Sequence, residues 1–401
     1  MNLRSTHVKA RGVQQAGTGR WGKRLRRFLV GLLLLLALKA AWFFLYRVDA
    51  ADGVPTMQQQ SRGDLLARRA YLLSRVLAPG FGPHDFPAAL GPQFQGEWAL
   101  VSLSMTTLAI AGLAQQFPEA AGTSRDDLDK IIDRALSSEL SQFDTQRWQE
   151  SALSALGNER GHMGYLGHLA LILAVRETAS PGGPHRVLLG KLALALARKM
   201  EHGPCGLAET YPGELYVPDN AVALAALALA ARAGIISQAA PSLFQRLRGR
   251  YAQPASGLLP FRVSPGCQSL DHDRASGAAW NLMYLGLVDE AYVQEGYAVL
   301  RERFLDRPLP GLWGVREWPR GVSRAGDIDS GPLPLGLSPA ATGFAIASAR
   351  RLNDAWTLQR LLDTAELAGF SLELGGRRRY LLAPLVGDAI LLAARAPLQL
   401  R

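Results

Sequence analysis

A chain of 401 residues, 48% of them hydrophobic, is long enough to bury a large core and carries no polar low-complexity tract that would leave it unfolded. Its formal net charge of +10 resembles a nucleic-acid signature until it is located: Arg4, Lys9, Arg11, Arg20, Lys23, Arg24, Arg26, Arg27, Lys39 and Arg47 occupy a stretch without Asp or Glu, and the other 34 basic residues balance the 34 acidic ones. The rest of the chain is neutral, which excludes DNA and RNA as expected partners.

From the N-terminus, residues 1–27 read as a basic cytoplasmic tail and 28–46, FLVGLLLLLALKAAWFFLY, as a transmembrane anchor interrupted only by Lys39. A helix needs roughly 20 apolar residues to cross the hydrocarbon layer, and the basic flank precedes the run, so the positive-inside rule exports the C-terminal portion. This gives a single-pass inner-membrane protein with its N-terminus cytoplasmic and its C-terminal domain periplasmic, and makes the membrane a partner through 28–46. The rival reading is a cleaved signal peptide, with Val48-Asp49-Ala50 as a loose cleavage site. Residues 47–60 form a linker and 61–401 the main domain.

In that domain Leu and Ala recur at helical spacing, and no run alternates convincingly like a strand. The spacing predicts twelve helices, over 62–78, 95–115, 124–142, 163–178, 184–201, 219–233, 238–250, 275–287, 289–305, 338–350, 353–368 and 384–396. Two kinds alternate. The first is amphipathic and charged, as in 62–78 and 124–142. The second is rich in Ala, Gly and Ser, nearly uncharged, and opens on a polar cluster: Gln95-Gly96-Glu97-Trp98, Gly161-His162-Met163-Gly164-Tyr165, Tyr216-Val217-Pro218-Asp219-Asn220, Asp273-Arg274-Ala275-Ser276-Gly277, Asp327-Ile328-Asp329-Ser330-Gly331-Pro332 and Gly387-Asp388. A helix apolar all round must be buried, whereas an amphipathic one faces water. The alternation therefore predicts an all-α fold, an (α/α)6 toroid of six inner and six outer helices, with an open α-solenoid as the alternative.

In a closed toroid all six inner-helix openings share one mouth, where free N–H groups at helix starts favour carboxylates. The expected catalytic residues are Asp219 with Asp327 or Asp329 as an acid–base pair, assisted by Glu97 and His162. Trp98, Tyr165, Tyr216, Asn220, Arg274 and Trp280 are the expected substrate-binding residues. Paired carboxyls suit this chemistry because burial or a like-charged neighbour keeps one protonated while the other is ionised. The plainer reading of Asp219 and Asp273 is helix capping. Glu214 and Asp388 are further candidates for the mouth.

No metal or cofactor is expected. Asp327-x-Asp329-x-Gly331 lacks the downstream bidentate acid of a calcium loop. His162 and His168 fall on different helix faces, with nothing to complete a zinc set. Asp271-His272-Asp273 comes after no nucleotide-binding βαβ pattern, and no nucleophile elbow, Walker loop or Rossmann fingerprint occurs. Cys205 and Cys267 lie in Gly/Pro-rich loops ahead of neighbouring inner helices, so they are either disulfide-bonded or two free thiols.

At Tyr216-Val217-Pro218-Asp219-Asn220, continuing into AVALAAL, the chain resembles the linalool dehydratase/isomerase family, as does Asp329-Ser330-Gly331-Pro332 through Ala341-Thr342-Gly343. The resemblance implies an (α/α)6 barrel with Pro-Asp-Asn opening an inner helix. That family flanks its Pro-Asp-Asn with two catalytic cysteines. The corresponding positions here are Tyr216 and about Ala225, and Cys205 and Cys267 do not match that spacing. Three functions stand as alternatives: an exported acid–base hydrolase or lyase on a glycan or sugar, a dehydratase/isomerase in which Tyr216 and Asp219 replace thiol chemistry, or a non-catalytic binding or scaffold module of the envelope.

Overall fold

The computed structural model describes residues 61–120, 124–271 and 273–399, together with helical positions 25–31, 33, 34, 37, 38 and 41 near the N-terminus. The chain divides into two compact units, Met1–Val54 and Pro55–Arg401. In the first, the described part of the expected anchor is helical, with Phe28, Leu29, Val30, Leu33, Leu34 and Leu38 exposed. The rest of that anchor, most of the basic tail and the linker lie outside the described residues. Among the described residues one stretch, Ala88–Gln116, is long and apolar enough to cross a membrane, and it is largely buried in the second unit.

The second unit is mostly helical. Its inner helices are α2 (Gly91–Gln116), α5 (Met163–Ala179), α7 (Val217–Arg232), α9 (Ala275–Leu285), α11 (Pro339–Arg351) and α13 (Leu385–Arg395). Its outer helices are α1 (Arg62–Val76), α3 (Ser124–Ala135), α4 (Ser138–Trp148), α6 (Arg186–His202), α8 (Ala240–Tyr251), α10 (Glu290–Arg303) and α12 (Ala355–Gly369). Each inner helix packs on the next, and α13 returns to pack on α2, so the ring of six is closed. Small residues permit this: Ala221 to Ala230 of α7 are buried without exception. Gly112 of α2 lies at the closing seam, where a Cβ would collide with the backbone carbonyl of Ala396.

Thirteen α-helices stand among the described residues of the second unit, where the spacing predicts twelve. The expected helix 124–142 breaks at Leu136-Ser137, because Ser137 is extended at the start of α4 (φ −65°, ψ 148°). The structure also holds three two-stranded antiparallel sheets that helical periodicity does not predict: β1 (Leu215–Tyr216) with β2 (Arg262–Val263), which α7 and α8 separate in the chain, and two hairpins, β3 (Leu305–Leu309) with β4 (Leu312–Val315) and β5 (Ser371–Leu374) with β6 (Arg377–Tyr380). The last turns on Gly375 and Gly376, both with positive φ (58° and 70°), the pairing that a tight two-residue hairpin loop requires.

Cys205 and Cys267 form a disulfide with a Cα–Cα distance of 5.2 Å, tying the loop before α7 to the loop before α9.

Alanine is the better helix former by roughly 1 kcal/mol, but overpacking against fixed backbone costs about 1–3 kcal/mol. Gly112→Ala is therefore expected to lower the melting temperature measured by circular dichroism, against the sign of helix propensity.

Candidate active site

The starts of all six inner helices open into one cavity of about 600 Å3. α2 contributes Glu97 and Trp98, α5 Gly164 and His168, and α7 Pro218 and Asp219, with Tyr216 just ahead. α9 contributes Ser276 and Trp280, α11 Thr342 and Phe344, and α13 Val386 and Ile390. The loop between β4 and α11 adds Ile328, Asp329 and Ser330, and the turn ahead of β1 adds Thr210 and Tyr211. Among the lining residues none is Lys or Arg.

Three carboxyls share this space. Glu97 is half-buried, and its carboxyl accepts from Gln93 Nε2 at 3.0 Å and from the Tyr211 hydroxyl. Burial pushes it up to about 7, with the charges of Asp219 and Asp329 adding to the effect. Asp219 accepts from Thr210 Oγ1 at 2.7 Å and is raised by burial to about 6. Asp329 is raised to about 7, first by burial and then by the charge of Asp327. It stands exposed on the rim, where water screens its neighbours, so Glu97 and Asp219 are the firmer protonatable acids. None of the three has a cationic hydrogen-bond partner among the described residues, and their mutual repulsion spreads their protons over the group.

His168 faces the same space. It shares a hydrogen bond with Ser104 Oγ (2.8 Å to Nδ1), meets Trp280 edge-on at 5.8 Å, and is driven down to about 3 by burial. It is therefore a neutral imidazole at any ordinary pH. Trp280 is anchored by its Nε1–H to the carbonyl of Pro218 at 3.0 Å, and Tyr216 meets Phe261 edge-on at 5.6 Å.

Several expected site residues lie elsewhere. Asp327 is not in the cavity wall. It takes both Nη atoms of Arg274 at 2.8–2.9 Å and the backbone N–H groups of Asp329 and Ser330. Burial alone would raise it, but these donors outweigh that cost and hold it below the usual carboxylate range. Arg274 also donates through Nε to Glu317 at 2.8 Å and lies over the Phe261 ring, so it braces the loop that presents Asp329 rather than meeting a substrate. His162 is fully buried behind the wall in a left-handed conformation (φ 51°), bonded through Nδ1 to Asp144 at 2.6 Å and stacked on Trp148. Tyr165 points outward and donates to the Ala135 carbonyl at 2.9 Å. Asn220 clamps the backbone of Ala208 and Tyr216. Asp273 is held by Ser256 and Arg303, and Glu214 bonds Arg147 and Tyr216 outside the wall. Asp388, pushed up to about 7 by burial, accepts from the Tyr380 N–H next to the cavity. The disulfide leaves no thiol at the site.

No family model matches the sequence, and no curated protein does. Solved structures do match. The Lin0763 protein from Listeria innocua is 10% identical, with a TM-score of 0.52 over 84% of this chain and 97% of that one. A possible member of the GH105 family from Salmonella enterica serovar Paratyphi A is 16% identical, with a TM-score of 0.46 over 75% of this chain and 82% of that one. The first is a likeness of fold, and the second falls below the level at which a shared fold can be read.

The raised carboxyls carry a stability consequence. The folded state holds a proton on Glu97 that the unfolded chain gives up near pH 4.5, so stability falls as pH rises from there to about 7. Glu97→Gln removes that penalty. The melting temperature of the variant relative to the parent is expected to be higher at pH 8 than at pH 4, as read by thermal melts at the two pH values.

Proposed function

We propose that the cavity is the active site of an acid–base enzyme acting on a neutral, hydroxylated substrate. Asp219 serves as base, and Glu97, with Asp329, as proton donor. The observation that carries this reading is the convergence of three carboxyls, each shifted toward neutrality and none paired with a cation, on one open cavity. Proton donation needs an acid that is still protonated near the working pH, and burial supplies it. With no Lys or Arg in the wall, an anionic group would meet three carboxyls and no counter-charge, so neutral substrates are favoured. An open cavity with protonatable groups also favours an enzyme over a non-catalytic scaffold.

Trp98, Tyr216, Phe261 and Trp280 offer flat faces, and Thr210, Ser276 and Thr342 offer hydroxyls, which suits a sugar ring or glycan. A second reading is favoured by the apolar part of the wall, formed by Leu312, Phe344, Leu382, Val386, Ile390 and Leu391. That wall suits an alcohol with an apolar body undergoing dehydration or isomerisation, with carboxyls in place of the thiols of the linalool dehydratase/isomerase family. The test is to incubate the purified protein with a panel of neutral glycans and a panel of apolar alcohols and to track products by mass spectrometry. Asp219→Asn and Glu97→Gln are each expected to lower turnover by about 10²-fold or more with helical content unchanged. The pH profile is expected to have limbs near 6 and 7, set by the coupled group rather than by single residues. Variants that lose their helical content instead would show that these acids are structural.

We further propose that the protein is held in the inner membrane by 28–46 with the toroid outside the cytoplasm. Support comes from the basic flank that precedes the apolar run and from the Cys205–Cys267 disulfide, which suits an oxidising compartment. Protease added to spheroplasts is expected to digest the toroid and to spare residues 1–27. Protection of the toroid would reverse the topology.

A further inference from the structure

The β5–β6 hairpin has two unlike faces. Its register pairs Ser371 with Tyr380, Leu372 with Arg379, Glu373 with Arg378 and Leu374 with Arg377. Opposed residues in an antiparallel ladder share a face, and successive residues alternate. Ser371, Glu373, Arg378 and Tyr380 therefore form one face, which packs inward away from the tip: Arg378 bonds Asp64 of α1 at 2.8 Å and Tyr380 is buried, while Glu373 near the tip stays exposed. The other face carries Leu372, Leu374, Arg377 and Arg379. Both leucines are exposed, and Leu374 at the tip is 78% exposed. Leu381, also exposed, comes next on that face, and beside it Leu382, 70% exposed, forms part of the cavity wall. The outward face has no acid, since the one glutamate of the hairpin lies on the other side.

An outward strand face normally presents polar residues to water. Here each leucine is set directly beside an arginine, so an apolar side chain can enter a bilayer while its neighbour stays with the headgroups. We propose that this face docks on an anionic lipid surface: Leu372, Leu374 and Leu381 enter the acyl region, Arg377 and Arg379 meet phosphates, and the cavity mouth at Leu382 is held against the membrane. Two guanidiniums with no acid on the same face, that of Arg379 resting at the edge over the Tyr71 ring at 5.7 Å, complement anionic headgroups. The linker over 47–60 spans at most roughly 50 Å fully extended, so an anchor at 28–46 would keep the hairpin within reach of the bilayer. The inference rests on the proposed anchor and not on any catalytic reading.

The test uses the full chain carrying Leu374→Cys labelled with an environment-sensitive fluorophore, the native cysteines being joined in the disulfide. It is reconstituted in vesicles of phosphatidylcholine alone or with about one third phosphatidylglycerol. In the anionic vesicles the emission is expected to shift to the blue and to be quenched by acyl-chain-borne quenchers. High salt is expected to reverse both effects, as is Arg377→Glu with Arg379→Glu in the labelled chain. The salt arm needs no further variant, so a failure of the double substitution to fold leaves the test intact. Emission that is the same in both vesicles overturns the proposal. So does a label equally shielded in detergent solution, where another segment of the chain or a second copy would be covering the face.

Discussion

The closure of the inner ring, where α13 meets α2, is the contact on which everything else in the second unit depends. Without it the six helix starts would spread along a groove, and Glu97 of α2 would have no common space with Asp219 and Asp329. The seam is tight because Gly112 has no side chain, which lets the backbone at Ala396 come in against α2. Beside it lies an ionic cluster that joins the beginning of the domain to its end. Asp64 of α1 takes Arg68 at 3.0 Å, Arg378 at 2.8 Å and Arg395 at 3.2 Å, while Glu366 of α12 takes Arg68 at 2.6 Å and Arg395 at 3.2 Å. Buried ion pairs are weak sources of stability, because desolvation cancels much of the attraction, but removing one partner is costly. Here three guanidiniums and two carboxylates set the position of α13 and of the β5–β6 hairpin relative to α1. The same hairpin stands at the edge of the cavity.

The acids of this fold separate into two populations, and the separation explains the site. Asp327, Glu317 and Asp273 each have an arginine, and Asp144 has His162; all four build walls and loops. Glu97, Asp219 and Asp329 have hydroxyl, amide or no side-chain donors instead, and they face the cavity. A cation would hold such a carboxyl ionised, whereas burial without one leaves it able to give and take a proton. Burial still raises Glu317 and Asp144 despite their partners, whereas at Asp327 the donors win, so what sets Glu97, Asp219 and Asp329 apart is that they face the cavity with no ion-pair partner.

Helix phase accounts for the mixed outcome among the candidate residues. Glu97, Trp98, Tyr216, Asp219, Trp280 and Asp329 line the cavity as their places at the inner-helix starts suggest. Successive residues of a helix, however, point about 100° apart. Asp219 faces the cavity, and Asn220, next in the chain, turns away to clamp a loop. His162 and Tyr165 turn outward, while Gly164 and His168, four apart on one face, turn inward. His168 was visible in the sequence, but only as half of a metal pair that could not form. Thr210 and Tyr211 left no signal, since a loop ahead of an inner helix has no period from which a direction can be read. The hairpins were hidden for a different reason: Gly375-Gly376 between Leu-Glu-Leu and Arg-Arg-Arg is a turn signal, but strands of four residues give too short an alternation to stand out among helices.

The sequence alone determined the helical class, the alternation of buried and amphipathic helices, the six polar openings and the basic apolar N-terminus, because each is written in local periodicity and charge. Tertiary structure decided which carboxyl received an arginine, which side chain at each opening turned inward, that the two cysteines met, and that the last helix returned to the first. Those outcomes depend on contacts between residues as far apart as Asp64 and Arg395, and no local pattern records where such a partner will stand once the ring has closed.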